Sequence, residues 1–392
     1  MGFKVSRGAL TAVLVALVAV ELASWVGVRL IESRPVGGAP ISLRNGVDHD
    51  ALVGEMESLY YSQARYHPAR WYALPADYQG KYVRTDAFGF RIDRTKEISG
   101  KPVVGLFGGS TMFSTTTRQE GTIPAALSRM IGGRLAILNY GVGGYSTSAE
   151  IPTLIEASRI DRGMRVAVFY DGVNEVGRFL ELVQDERKDA FLPVVGYPFD
   201  RTLRVALDNA PGRSWLPYRP KVIILAEYFR LIWRKVQSTN SPVAQADTRE
   251  MDALAQKVVD LYVANVEVLD AVSRANGIIP VFLWQPDIFL TGKRLTPREV
   301  QIASSRPVVL RELTRAVFSR VTTDPRIKRF NFFDVSGQFD QLEGDHFFDY
   351  CHVSEEANEV MARRIGEILL QVAPREMAGS AAPGKGRGVW KQ

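Results

Sequence analysis

From residue 101 onward, five nearly continuous apolar runs alternate with stretches of helical spacing, and this rhythm limits the fold more tightly than anything else in the chain. The runs are PVVGLFG (102–108), LAILNYG (135–141), VAVFYDG (166–172), IIPVFLWQP (278–286) and FNFFDVS (330–336). A strand that is apolar at every position is covered on both faces, which is the condition of a parallel sheet between helices. Strands alternating with helices are also the pattern of βα units. The expectation is an α/β domain, doubly wound, over residues 101–374.

Three helices stand out between the runs. Ile123, Ala126, Leu127, Met130 and Ile131 mark one, stopped by Gly132-Gly133. Leu254, Val258, Leu261, Tyr262, Val266 and Leu269 mark a second, stopped by Asn276-Gly277. Ala357, Val360, Met361, Ile365, Ile368, Leu369 and Val372 mark a last one, starting near Ser354. Residues 176–250 break the alternation and read as a helical insertion after the third strand. The insertion contains KVIILAEYFRLIWRKV (221–236), an extra packed helix or a lid over the site. After Pro374, GSAAPGKGRG reads as a disordered tail over 375–392.

The N-terminus carries a different signal. Residues 8–28, GALTAVLVALVAVELASWVGV, would form a helix about 31 Å long at ~1.5 Å per residue, enough to cross a bilayer core. Lys4 and Arg7 precede the run and Trp25 sits near its far end. The reading is a transmembrane helix with residues 1–7 as a cytoplasmic tail; the alternative is a signal peptide, with secretion after cleavage. The run is long for a signal, and no A-x-A site comes before Arg29. Met1-Gly2 followed by Ser6 fits the myristoylation pattern, which in front of a membrane span reads as coincidence. Residues 29–100 read as a juxtamembrane linker followed by a lead-in segment rich in Tyr, Arg and Pro, with TDAFGFRID near its end.

Composition removes several function classes. The formal charge is +6 with acids and bases interspersed, and no basic stripe with interleaved aromatics appears, which argues against a nucleic-acid partner. One cysteine, Cys351, and four histidines give no metal-ligand spacing, so neither a metal nor a cofactor is expected. At 46% hydrophobic and 23% charged residues, the chain can bury a large core.

The chemistry gathers at the strand ends, where open α/β sheets place their ligands. The first strand ends in Gly108-Gly109-Ser110, which exposes a hydroxyl at the rim. The second ends in Asn139-Tyr140-Gly141-Val142-Gly143-Gly144-Tyr145-Ser146, where glycines let a backbone N–H approach a reacting oxygen. The third ends in Asp171-Gly172-Val173-Asn174-Glu175, whose Asn amide can donate to a developing oxyanion. After the fifth comes Asp349-Tyr350-Cys351-His352, an imidazole able to take a serine proton with a carboxylate three residues earlier to hold its other nitrogen. Asp345-His346 is a competing pair that composition alone does not remove. Cys351 reads as a small buried residue.

Nucleophile, N–H donor, amide donor and Asp–His in this order resemble the SGNH (GDSL-like) hydrolase superfamily, whose four blocks here read GGST, NYGVGGYST, DGVNE and DYCH. The resemblance covers roughly residues 102–373. It implies a three-layer αβα fold with a five-stranded parallel sheet in flavodoxin-like order. It implies Ser110 as nucleophile, with its own N–H, the Gly144 N–H and the Asn174 side chain as oxyanion hole. It also implies His352 as base, oriented by Asp349. The blocks depart from the family at Gly109 and Glu175, where Asp is usual; neither position attacks the carbonyl or carries the proton. TDAFGFR and Gln285-Pro286 resemble membrane-anchored bacterial members, some of which add or remove acyl groups on surface polysaccharides. The expected function is therefore a serine esterase that hydrolyses or transfers an acyl group through an acyl-serine intermediate. Its expected substrate is an ester on an envelope carbohydrate or lipid, and its expected place is outside the cytoplasm, periplasmic or extracellular. The alternative is a non-catalytic envelope protein that binds glycan or scaffolds an assembly complex.

Overall fold

The computed structural model describes residues 48–91, 100–184 and 248–378, together with residues 16, 19–27, 202, 205–207 and 209. The chain forms two compact units, Met1–Pro40 with Pro211–Gln245, and Ile41–Ala210 with Ala246–Gln392. In the first unit residues 19–27 are helical, and Ser24 Oγ donates to the Val20 carbonyl at 2.8 Å. No helix among the described residues is long and apolar enough to cross a membrane. The expected span, 8–28, lies largely outside the described residues, and the expected helix over 221–236 lies wholly outside them.

The second unit is built on a five-stranded parallel sheet. Numbering strands and helices in chain order, a small antiparallel hairpin of β1 (Arg65–His67) and β2 (Trp71–Ala73) comes first. The sheet strands are β3 (Val103–Gly108), β4 (Ala136–Asn139), β5 (Met164–Asp171), β6 (Ile279–Trp284) and β7 (Phe332–Asp334). Their order is β4-β3-β5-β6-β7, every neighbouring pair parallel. This is the flavodoxin-like order, with its switch point between β3 and β5.

Each predicted helix ends where its sequence provides a stop. α1 spans His49–Tyr61 and a one-turn α2 spans Ser110–Phe113. α3 (Ile123–Ile131) starts on Thr122, whose hydroxyl accepts from Ala125 N, and ends on Gly132 at φ 68°. Only glycine takes that left-handed cap without strain. α4 (Thr147–Ile160) and α5 (Val173–Gln184) follow β4 and β5, and α6 spans Thr248–Ala275. α7 (Pro297–Ser304) and α8 (Val308–Thr323) lie between β6 and β7. α9 (Glu355–Val372) is capped by the Ser354 hydroxyl, and α10 (Pro374–Met377) follows it.

Side chains alternate along the strands and separate two cores. Val104, Leu106, Val166, Val168, Val281 and Leu283 pack with α3 and α9 in one cluster. On the opposite face Phe107 stacks between Tyr140 and Phe169, with ring centroids 5.0 and 5.1 Å away, and Phe169 stacks on Phe282 at 5.1 Å. Over that face Tyr262 of α6 meets Trp284 edge-on at 5.3 Å. The sheet is thus covered on both sides, giving the three expected layers.

Two stretches differ from the sequence reading. Within 29–100, α1 is packed rather than free: Asp48 caps it, and Leu52, Met56, Leu59 and Tyr60 are buried along one face. TDAFGFR is anchored too, with Asp86 Oδ1 accepting from Phe88 N and Phe90 N, both at 2.9 Å. The stretch expected to be tail from 375 begins inside α10, where Met377 is buried in the core; residues 379–392 lie outside the described residues. The ends of the 176–250 insertion extend α5 and α6, and Asn209 donates to the carbonyls of Ser62 and Ala64 at 3.1 and 2.9 Å.

Candidate active site

The turn after β3 is shaped by close approach. A Cβ on Gly108 would lie 2.7 Å from Met112 Cβ and 3.0 Å from the Tyr170 carbonyl. A Cβ on Gly109 would lie 2.0 Å from Asn174 Nδ2. Both positions therefore require glycine, and the second brings Asn174 against the residue preceding Ser110. Ser110 opens α2, so its N–H lies outside the intrahelical ladder. Behind the turn Arg91, 2% exposed, donates to the carbonyls of Phe113 (2.9 Å), Ser114 (2.7 Å), Tyr82 (3.1 Å) and Thr117 (2.8 Å). Burial pushes this guanidinium down to about 10.

The glycine loop after β4 is held from the N-terminal segment. Gly143 N donates to Tyr60 Oη at 2.8 Å, Tyr72 Oη donates to the Gly143 carbonyl, and Tyr145 Oη donates to the Tyr72 carbonyl. Gly144 follows at φ 81°. The Tyr145 carbonyl then accepts from Asn174 Nδ2 at 2.6 Å, which joins this loop to the start of α5. An amide NH₂ has two donors, so Asn174 retains a second.

The last turn is a local construction. Asp349 Oδ1 accepts from Cys351 N (2.9 Å) and His352 N (2.8 Å), while Oδ2 meets His352 Nδ1 at 2.6 Å. Burial pushes the Asp349 carboxyl up, but the His352 ring and these N–H donors outweigh it and hold the group below the usual carboxylate range. With Nδ1–H given to the carboxylate, Nε2 keeps its lone pair. That nitrogen is buried and has no hydrogen-bond partner. No hydrogen bond therefore joins Ser110 to His352 in this structure. One cleft is nevertheless lined by Thr111, Ser114 and Thr116, which follow Ser110, together with Cys351, His352 and Val353; Ser110, Gly144, Asn174 and Asp349 are not among its lining residues. Thr116 Oγ1 donates across it to the Val353 carbonyl at 2.9 Å.

His346 is fully occupied. Its Nδ1 meets Ser354 Oγ at 2.8 Å and its Nε2 the Glu343 carbonyl at 2.9 Å, which leaves no lone pair for a substrate proton. Among the described residues Asp349, Cys351 and His352 offer ligand atoms within 4.8 Å of one another. As metal ligands they fit poorly. Asp349 is committed to His352 and two backbone N–H groups, and burial pushes the Cys351 thiol well up, away from the thiolate a metal takes.

Sequence reasoning gave no site role to Tyr60, Tyr72 and Arg91, which grip the rim from residues 48–91, or to Gln285, whose Oε1 accepts from Thr111 Oγ1 at 2.6 Å, although TDAFGFR, which ends on Arg91, and Gln285-Pro286 stood out as motifs. The richness in Tyr and Arg of the lead-in segment was the available signal for the first three.

No protein-family model matches the chain, and no curated protein matches it. Solved structures of similar fold include a carbohydrate acetylesterase family member from Sinorhizobium meliloti, 11% identical over 69% of this chain and 99% of that one, TM-score 0.39. An acetyl xylan esterase variant from Geobacillus stearothermophilus is 13% identical over 73% and 98%, TM-score 0.34. A GDSL-like lipase from Bacteroides thetaiotaomicron is 10% identical over 70% and 91%, TM-score 0.33.

Proposed function

We propose that the chain is a serine ester hydrolase of the SGNH type, with Ser110 as nucleophile and His352 as base. The observation that carries this reading is the state of His352: Nδ1 is committed to Asp349, Nε2 is buried and unpaired, and the residue lines a cleft together with Thr111, which follows Ser110. Ser110 Oγ attacks the ester carbonyl carbon and its proton passes to His352 Nε2. The Ser110 N–H, the Gly144 N–H and Asn174 Nδ2 hold the negative oxygen. Collapse breaks the bond to the alcohol, which takes the proton from His352. Water then repeats the attack and frees the acid; an alcohol in place of water makes the reaction a transfer. Hydrogen bonds of this kind are often long in unliganded sites and tighten with substrate, consistent with the separate Ser110 and His352. The substrate we infer is an O-acyl ester of an envelope carbohydrate or lipid. Residues 8–28 would anchor the chain with this domain outside the cytoplasm.

The separation of Ser110 from His352 also fits a second reading, a cleft that binds glycan without chemistry. Labelling with a fluorophosphonate probe and hydrolysis of p-nitrophenyl acetate separate the two. Wild type is expected to label and turn over. Ser110→Ala and His352→Ala should fall to background, and His346→Ala should retain most turnover. A wild-type rate no higher than that of Ser110→Ala rejects the enzyme reading.

A further inference from the structure

Beside the site lie carboxyls that the mechanism above does not use, Glu150 and Asp171, both buried, and Glu175, half-buried. Glu150 is on the first turn of α4, Asp171 ends β5, and Glu175 is on the first turn of α5. They are not equivalent. The Glu150 and Asp171 side chains hydrogen-bond to each other, and neither Glu150 oxygen nor Asp171 Oδ2 has any other partner. Glu175 uses both of its oxygens: Oε1 accepts from Thr147 N at 2.9 Å and Oε2 from Gly172 N at 2.8 Å.

Those two N–H groups sit at informative places. Gly172 is two residues before Asn174, and Thr147 is three residues after Gly144. One carboxylate thus spans the two loops that carry the donors assigned to the oxyanion. Asn174 Nδ2 closes the same pair of loops from the other side through the Tyr145 carbonyl, at 2.6 Å. We propose that Glu175 is a positioning residue that fixes the Asn174 side chain and the Gly144 peptide relative to each other, so that both meet the same oxygen. This rests on the reading of the cleft as an ester-hydrolysing site.

The surrounding charges suit that role. Burial pushes Glu150 and Asp171 well up and the Glu175 charge raises both further, while the hydrogen bond between the two raises Asp171 and lowers Glu150. Glu175 differs from them in having an N–H donor on each oxygen. Burial raises Glu175 as well, while its N–H donors and the Arg178 charge oppose the rise. The Tyr262 hydroxyl, from α6, faces them as well: burial and the charges of all three carboxyls raise it. A neutral amide at 175 offers one acceptor atom and turns an NH₂ toward the second backbone N–H, so one loop must let go.

Glu175→Gln in the full chain tests this. Turnover of p-nitrophenyl acetate per fluorophosphonate-titrated site should fall about 10- to 100-fold, the scale of a misplacement near 1 Å, with KM within about twofold. Normalising to titrated sites removes any loss from unfolded protein, which a merely structural residue would cause. Amide hydrogen exchange at Thr147 and Gly172 should quicken in the variant while Tyr140 N, bonded to the Leu106 carbonyl, stays protected. Turnover per site within twofold of wild type, or unchanged exchange at both amides, overturns the proposal. If the variant fails to fold, the wild-type amide resonances decide: those of Thr147 and Gly172 should titrate together with one carboxyl, and independent or flat behaviour overturns it. A wild type that neither labels nor turns over sinks the esterase reading instead, and the exchange measurement still reports whether Glu175 ties the loops.

Discussion

Two carboxyls on the same rim, Asp349 half-buried and Asp287 buried, are shifted in opposite directions, and their partners explain why. Asp349 and Asp287 each accept two backbone N–H bonds, from Cys351 and His352 in one case and from Phe289 and Leu290 in the other. Only Asp349 also has an imidazole at 2.6 Å, and it stays ionised. Asp287 lacks such a partner, and burial pushes it up to about 7. A carboxyl raised in the folded state binds its proton more tightly there than in the unfolded chain. Its stabilising contribution is complete below the unfolded value, ~3.9, and is lost as pH rises to about 7. Asp287→Asn should remove that slope. The melting temperature of wild type is expected to fall between pH 4 and 7 relative to the variant, and parallel curves for the two proteins would contradict the assignment. The spacing of three between Asp349 and His352 made that pair legible in the sequence. Nothing in Gln285-Pro286-Asp287 announced a buried acid, because its burial depends on the tertiary position of the loop after β6.

At the scale of elements, legibility followed apolar continuity and terminal signals. The five strands and the helices α3, α6 and α9 were readable from buried runs and from stops such as Gly132 and Gly277, both left-handed in the structure. α4 was not marked out. Its buried face mixes Thr147, Glu150 and Thr153 with Ala149 and Leu154, and Pro152 interrupts it, so no clean apolar stripe appears. α1 failed as a signal for a related reason: four buried positions in HDALVGEMESLYY are diluted by acids and glycine. Yet α1 supplies Tyr60, whose hydroxyl satisfies Gly143 N. A Cβ on Gly143 would sit 2.8 Å from the Tyr60 ring, so helix and loop are fitted to each other. Tyr60→Phe leaves a buried N–H without an acceptor, which costs about 1–3 kcal/mol. Urea unfolding should show a loss of that size, together with reduced turnover at unchanged KM. A stability equal to wild type would mean that water or another group replaces the hydroxyl.

For the molecule as a whole, the sequence suggested a catalytic domain beginning near 101 with a lead-in attached. The contacts describe a different division of labour. Residues 101–374 hold the sheet, the serine, the histidine and the asparagine. Residues 48–91 hold what fixes two of the three rim loops: Tyr60 and Tyr72 on Gly143, and Arg91 on the carbonyls of Phe113 and Ser114. Arg91 also shows why the dependence is mutual. Its guanidinium is buried with carbonyl and amide oxygens as acceptors, an arrangement that exists only when the turn after Ser110 is already in place around it. An unpaired buried cation or an unfilled cage of carbonyls is strongly unfavourable, so the two halves fold together. A chain starting at residue 41 keeps every contact just named and should retain esterase turnover. A chain starting at residue 101 loses all of them. It should lose turnover by at least about 100-fold, the order expected when an oxyanion donor is lost, and it should unfold without a cooperative transition. Full turnover from the shorter chain would show that the rim assembles from the sheet alone, and that Tyr60, Tyr72 and Arg91 merely cover it.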